Sequence, residues 1–314
     1  MQTIPTTPLL AIVGPTAVGK TALSIALAQA LNGEIVSADS RQVYRRMDIG
    51  TAKPTVAERA AAPHHLIDVV DPDEDYSLAV YQAQAYEAID YIVRRGRLPL
   101  LVGGTGQYLA AVLHGWNIPS VAPQPELRAA LEREAAEHGA EALHARLAHV
   151  DPQAAAGIPV TNVRRVIRAL EVYEVTGVPI SAQQTMRPPP YAIRTLWLTL
   201  PAETLYRQID ARVDAMIVAG LIEEVRSLLD CGYGWELPAM SGLGYREFRS
   251  YFEETATRDD AIQRLKYDTH AFARRQPAWF RRLPNVTQFA ADAPDLLEQA
   301  LEWWKENQEP RTEN

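Results

Sequence analysis

The chain of 314 residues contains a single cysteine, Cys231, so neither an intrachain disulfide nor a cysteine-built zinc site is available to it. No apolar run approaches the length needed to span a bilayer. The N-terminal stretch lacks the basic segment and small-residue cleavage site of a secretory leader, so no signal peptide is expected. Its apolar residues read instead as the start of a strand. Internal repeats are absent. Positive charge is in deficit: a net charge of −8 argues against indiscriminate binding to nucleic acid. These absences point to a cytoplasmic globular protein of one large domain or two. The distribution of charge says more than the sum. Acid collects at Asp68 to Asp75 and at Glu298 to Glu309, base at Arg164 to Arg168 and at Arg264 to Arg282. A polyanion could still find a positive groove, although scattered solvated arginines explain any one cluster equally well.

What is present begins at Leu9. An apolar run to Val13 reads as a buried parallel strand, and an alanine- and leucine-rich helix extends to Leu31. Between them Gly14, Pro15, Thr16, Ala17, Val18, Gly19, Lys20 and Thr21 fit G-x-x-x-x-G-K-[ST]. Strand, glycine loop and helix in that order form a phosphate site: the loop amides point inward and the helix N-terminus adds its positive dipole end. Lys20 reaches the outer phosphate oxygens, and the Thr21 hydroxyl is the expected Mg²⁺ ligand. The motif predicts a bound di- or triphosphate and leaves open which.

A second strand, Glu34 to Asp39, places Asp39 at the carboxyl edge of the sheet, where ligands of α/β proteins bind. Asp39 reads as a site residue, a turn or cap aspartate, or a magnesium ligand of the nucleotide-kinase kind. Pro63 to Pro72 reads as a short strand between turns. On it His64 and His65 face opposite ways, which disfavours a shared metal and suggests loop or packing roles. Ser77 caps a periodic helix to Arg95. Leu98 to Val102 is a further strand, and Gly103 to Tyr108 reads as a tight turn into a helix from Tyr108 and, compatibly with that, as a second wall of the site carrying Thr105.

From Trp116 to Arg194 strand signals give way to amphipathic helices at Pro125 to His138, Ala140 to Ala148 and Thr161 to Thr176. Strand character returns at Ile193 to Leu200, followed by a helix carrying Arg212, which is either a phosphate clamp or a surface arginine. Met240 to Arg246 is a glycine loop leading into a helix from Glu247 to Phe252. Asp260 to Arg282 reads as one long basic helical stretch with interleaved aromatics, suited to flanking nucleic acid or to an ordinary core. Pro294 to Glu306 is a last acidic helix, and the tail past Asn307 is expected to be disordered. The fold class is therefore α/β: a P-loop NTPase-like parallel sheet core flanked by helices (residues 1–116 and 195–314), with an all-helical insertion domain (117–194).

Taken together and in this order, GPTAVGKT, SADSRQVYRRMDIGTAKP, PHHLIDVVDP, LVGGTGQY, RVIRALEVYEVTG, SGLGYRE and ARRQPAWFRR resemble the bacterial tRNA dimethylallyltransferases, the tRNA isopentenyltransferases of the IPP transferase family. The phosphate loop alone is weak evidence for that family; the DSRQVY and GTAKP segments followed by GGTG-x-Y are far more specific. Gly106 and Gln107 after Thr105 fall at a variable position. No cysteine/histidine extension follows the basic stretch, which matches the bacterial type. The resemblance implies transfer of a dimethylallyl group from dimethylallyl diphosphate to N6 of adenosine 37 in tRNA, with Mg²⁺, by a monomer without membrane contact. It implies that Asp39 is the general base, that Thr105 positions the reacting nucleotide and that Arg212 clamps diphosphate with Gly14–Thr21. It further implies that Asp39, Ser40, Arg41, Gln42, Thr105, Arg128, Arg164, Arg165, Val166, Ile167, Arg168, Ser241, Gly242, Leu243, Gly244, Tyr245 and Arg246 lie in segments that touch tRNA.

Three other activities use similar parts. A small-molecule kinase would pass a phosphate from ATP, but the chain shows no arginine-rich lid. An adenylate isopentenyltransferase would act on free nucleotide, against which the basic insert argues. An RNA-binding NTPase switch would leave Asp39 and Thr105 without chemistry.

Overall fold

In a computed structural model, which describes residues 7–307, the apolar runs become six strands: β1 (Thr7–Val13), β2 (Gly33–Ala38), β3 (His64–His65), β4 (Leu98–Gly103), β5 (Tyr191–Thr199) and β6 (Val286–Ala290). They form one sheet in the order β3-β2-β4-β1-β5-β6, with every neighbouring pair parallel. β1, β2 and β4 are buried almost throughout, which is why their sequences run apolar instead of alternating. Parallel neighbours require helical crossovers, and this combination is the expected α/β core.

The register positions the site. Val13 of β1 and Ala38 of β2 both stand opposite Gly103 of β4. Three strands thus end together, and the loops after Val13, Ala38 and Gly103 leave the sheet side by side. That carboxyl edge is where an open α/β sheet receives ligand.

The helices Lys20–Ala30, Ala202–Val218 and Leu296–Glu306 bring Leu23, Leu27, Ile209 and Trp304 into a core with Leu10, Ile12, Leu100, Leu196 and Phe289. A second cluster joins Val43 and Met47, just after β2, to Val213, Leu221, Val225, Tyr245, Phe248 and Leu265. Ser77 caps the helix Leu78–Arg94 by accepting from the Val80 N–H, as its position predicts.

Residues 114–188 make a compact unit of their own, distinct from the sheet-containing unit. Its helices Pro125–His138, Ala140–Val150, Pro152–Gly157 and Val163–Thr176 enclose Leu131, Leu143, Leu147, Val166, Ile167 and Leu170. Backbone bonds from Asn117 N–H to Thr185 O (2.8 Å) and from Arg187 N–H to Gly115 O (2.8 Å) close its base. The boundary expected at residue 194 is too late: Tyr191 to Arg194 belong to β5, paired with Thr7 to Leu10.

Other departures from the sequence reading have local causes. The stretch Asp260 to Arg282 is the helix Arg258–Arg275, a break at Gln276, and the short helix Pro277–Phe280, because Pro277 lacks the N–H that would continue the first ladder. The strand predicted in Pro63–Pro72 shrinks to His64–His65, with only an isolated bridge between Tyr44 and Val70 beyond it. The helix Leu221–Asp230 and strand β6 carry no pattern that the sequence reading marks. Among the described residues no helix is long and apolar enough to cross a membrane. The tail past Asn307, expected to be disordered, lies outside the described residues.

Candidate active site

The phosphate loop spans the gap between β1 and the helix Lys20–Ala30. Gly19 is the helix N-cap in a left-handed conformation (φ 95°), accessible to glycine without steric cost. No side chain caps this N-terminus and no acidic residue occupies its first turn. The first-turn amides and the positive dipole end are thereby left for an anion. The Lys20 ammonium folds over the loop, donating to Gly14 O (2.9 Å) and Pro15 O (2.8 Å). Burial, together with the like charge of Arg212, pushes Lys20 down to about 7, while the Asp39 carboxylate pulls the other way. Burial also lowers the Arg212 guanidinium, and Asp39 again opposes the shift. Three of the residues singled out in the sequence therefore share one electrostatic neighbourhood.

A prediction follows from Lys20. A group depressed to about 7 is charged below that pH and largely neutral above it. Diphosphate binding at higher pH must then recharge the amine by proton uptake. Relative to Lys20→Arg, affinity for inorganic diphosphate is expected to fall as pH rises through about 7, by up to about tenfold per pH unit, and to stay level below it. Calorimetric titration of the native protein against Lys20→Arg, whose guanidinium stays charged, isolates this slope from the ligand's own titration. Equal slopes in the two proteins would contradict it.

One cavity at the sheet edge is lined by Lys20, Thr21, Asp39, Gln42, Pro54 and His64, with Ser37 and Val102 among its other walls. A hydroxyl and a carboxylate on one cavity suit a hard, oxygen-seeking cation held partly by phosphate oxygens. Among the described residues, no group of three or more His, Cys, Asp and Glu could hold a metal by itself. A cation at this cavity would therefore draw most of its ligands from phosphate oxygens, with the Thr21 hydroxyl and the Asp39 carboxylate as the protein oxygens the motif offers it.

Asp39 is fixed by its own turn. The Arg41 N–H donates to Asp39 Oδ1 (2.9 Å), and the neighbouring Ser40 N–H donates to Thr105 Oγ1 (3.0 Å). The Thr105 N–H donates to Ala38 O (3.2 Å). Thr105 therefore holds the turn that carries the carboxylate. The Arg41 guanidinium donates to Pro238 O (2.7 Å), and the Gln42 amide donates to Thr51 O (3.3 Å) and Ala52 O (3.2 Å).

Residues that sequence reasoning did not single out build the frame. Glu224 accepts from the amides of Asp48 (2.9 Å), Ile49 (2.8 Å) and Gly50 (3.1 Å) and from the Tyr245 hydroxyl (2.7 Å). Buried Lys53 joins Asp48 (2.7 Å), Asp68 (2.6 Å) and Tyr44 O (2.6 Å). Gln276, 3 % exposed, accepts from the Thr16 N–H (2.9 Å) and donates to Gly104 O (2.8 Å). His64, read as a packing residue, lines the cavity, its Nδ1 2.8 Å from Ala62 O and its basicity lowered by burial. The adjacent His65 instead pairs with Glu34 (2.7 Å). The roles of Glu224 and Gln276 have no local sequence signal, because their backbone partners lie more than 150 residues away in the chain.

The residues expected to face tRNA divide. Arg164 and Arg165 are exposed. Arg128 forms a fork on Glu171 (2.7 and 2.9 Å), and Arg168 meets the same buried carboxylate (2.5 Å). Val166 and Ile167 lie in the insert core, and Tyr245 is fully buried, so their side chains face protein, not ligand. The Ser241 hydroxyl donates to Pro238 O (2.6 Å), the Gly244 amide donates to Glu247 (2.9 Å), and Arg246 pairs with Glu247 (2.7 Å) and Asp268 (3.3 Å). Gly242 packs close to Arg41, and Leu243 sits between these anchors.

Residues 42–283 match the family model described as IPP transferase, and residues 7–67 match one described as isopentenyl transferase. The tRNA dimethylallyltransferase of Roseiflexus castenholzii is 72 % identical over 293 residues, covering 93 % of this chain and 96 % of the relative. The protein of the same name from Chloroflexus aggregans is 63 % identical over 287 residues, covering 91 % and 97 %. The crystal structure of a tRNA isopentenylpyrophosphate transferase from Bacillus halodurans superposes with a TM-score of 0.72 at 42 % identity, covering 96 % of each chain. A eukaryotic dimethylallyltransferase solved acting on tRNA gives a TM-score of 0.83 at 28 % identity, covering 98 % of this chain and 81 % of that one.

Proposed function

Because this chain belongs to the IPP transferase family, we infer that it is a tRNA dimethylallyltransferase. It moves the dimethylallyl group of dimethylallyl diphosphate to N6 of adenosine 37 in tRNA and releases diphosphate. The observation that carries this reading is the pairing of an uncapped phosphate loop, headed by Lys20, with the Asp39 carboxylate on one cavity.

Breaking the allylic C–O bond leaves negative charge on the departing diphosphate. Donors fixed beforehand stabilise it best, and the loop amides, Lys20 and Arg212 are such donors. The loop grips diphosphate and not a nucleobase, so a nucleotide-type cradle serves a prenyl donor. Mg²⁺, held at Thr21 when bound, would supply further neutralising charge there. The acceptor amine has its lone pair drawn into the purine and sheds a proton as it attacks; Asp39 accepts that proton. Thr105 keeps the Asp39 turn in place through Ser40. The adenine must leave its stack to reach this cavity, as base-modifying enzymes generally require. The insert supplies the grip on the anticodon stem-loop, where shape and splayed bases carry recognition. We take the protein to act in the cytoplasm as a monomer.

Incubation with labelled dimethylallyl diphosphate and Mg²⁺, with tRNA and AMP offered side by side, tests the reading: label should enter tRNA. Labelling of AMP instead, or phosphate transfer from ATP, would replace it with one of the rival activities.

The division among the insert arginines yields a further expectation. Substituting exposed Arg164 and Arg165 by alanine should weaken tRNA binding and lower the slope of log affinity against log salt by about one to two. An unchanged salt slope would mean that these two side chains only solvate their helix.

A further inference from the structure

We propose that Gln276 is a positioning residue that sets the spacing between the diphosphate cradle and the base, a role that rests on the activity inferred above. Gln276 stands where the helix Arg258–Arg275 ends, ahead of Pro277. One end of its amide accepts from Thr16 in the phosphate loop; the other donates to Gly104 in the turn after β4. The next residue, Thr105, holds Ala38 and Ser40, which flank Asp39. A single side chain thus closes a path from the leaving-group cradle to the proton acceptor.

The chemistry of the position is restrictive. It needs one acceptor and one donor at opposite ends of a planar group, and glutamine supplies both in a buried place. An apolar residue leaves the Thr16 N–H and the Gly104 carbonyl without partners. Glutamate keeps the acceptor and loses the donor. Gly104 is part of the same arrangement: a Cβ there would lie 2.6 Å from the Gln276 amide nitrogen and 3.7 Å from the Lys20 ammonium. A side chain at residue 104 would therefore push on the bridge from the opposite direction. Because prenyl transfer needs the amine, the allylic carbon and the departing oxygen aligned, slack between the two loops should appear in the transfer step and not in affinity.

The test uses the full chain with Gln276→Met, Gln276→Glu and Gly104→Ala. Gln276→Met, matched in length, is expected to slow single-turnover transfer by roughly tenfold to a hundredfold. KM for dimethylallyl diphosphate and Kd for tRNA should stay within about threefold. The deficit of Gln276→Glu relative to the native protein should shrink from about pH 8 to about pH 6, since a protonated carboxyl again offers both a donor and an acceptor; burial and the bound diphosphate raise its pKa against the pull of the Lys20 ammonium, which is itself pushed down to about 7. Gly104→Ala combined with Gln276→Met should be no slower than the slower single variant, because both act through one contact. A rate within about twofold of native, a loss confined to tRNA affinity, or a Gln276→Glu deficit that is flat with pH would overturn the proposal. Should Gln276→Met not fold, the pH profile of Gln276→Glu decides. Should the native protein itself fail to label tRNA, the activity inference fails alone. The bridge is then judged by hydrogen exchange at the Thr16 amide, which should quicken at least about tenfold in the folded variant, Gln276→Met or otherwise Gln276→Glu at about pH 8, and which contradicts the bridge if unchanged.

Discussion

Replacing Asp39 by asparagine is expected to lower the single-turnover rate of prenyl transfer by about a thousandfold, with tRNA affinity within about twofold of native. The substitution keeps the size of the side chain and an oxygen for the Arg41 amide, so the turn that Ser40 and Thr105 hold should survive. What it removes is a group able to take the proton from the exocyclic amine. Without that transfer the attacking nitrogen would carry positive charge at the moment the diphosphate departs. Rapid-quench transfer with enzyme in excess reads the rate, and a separate binding titration reads the affinity. A rate within about tenfold of native would remove Asp39 from this role.

The second large effect belongs to the leaving group. Lys20→Met is expected to slow transfer by about a hundredfold to a thousandfold, the range typical of losing one preorganised donor at a site of developing charge. The ammonium lies 2.9 Å from Gly14 O and 2.8 Å from Pro15 O, so in the ligand-free protein it is held over the loop. An incoming diphosphate offers it a stronger partner than two neutral carbonyls. Methionine fills much of the same space without charge, which separates electrostatics from packing. Measuring transfer at saturating dimethylallyl diphosphate keeps weaker binding out of the result. A loss below about fivefold would mean that the loop amides and Arg212 carry the leaving group without Lys20.

The parts of this molecule legible in the sequence are those whose cause is local. Gly14–Thr21 announces itself because the loop, its strand and its helix are contiguous. Asp39 and Thr105 are readable because each lies within two residues of the end of a buried strand, and parallel strands deliver their carboxyl ends to one edge. The resemblance to a family then assigned their roles. What was not legible depends on partners distant in the chain. Gln276 looks like one polar residue in a basic stretch until its side chain is seen to reach Thr16 and Gly104. Glu224 sits on a helix that no motif marks, and its function is visible only beside the amides of Asp48 to Gly50. In the insert, the run of arginines looked uniform. The buried Glu171 separates Arg128 and Arg168, which it holds, from Arg164 and Arg165, which remain exposed. Val166, Ile167 and Tyr245 lie inside the motifs, but helical and loop geometry turn their side chains inward.

The activity inferred for this protein has a purine amine attack a carbon whose diphosphate is gripped by the phosphate loop. The most direct measurement offers two anticodon stem-loops that differ only at position 37, one with adenosine and one with purine riboside, which lacks the exocyclic amine. Labelled dimethylallyl diphosphate should place label on the adenosine-containing RNA, at N6 by nucleoside mass analysis, and none on the other. Equal labelling of both, or label on any other atom, would contradict the account.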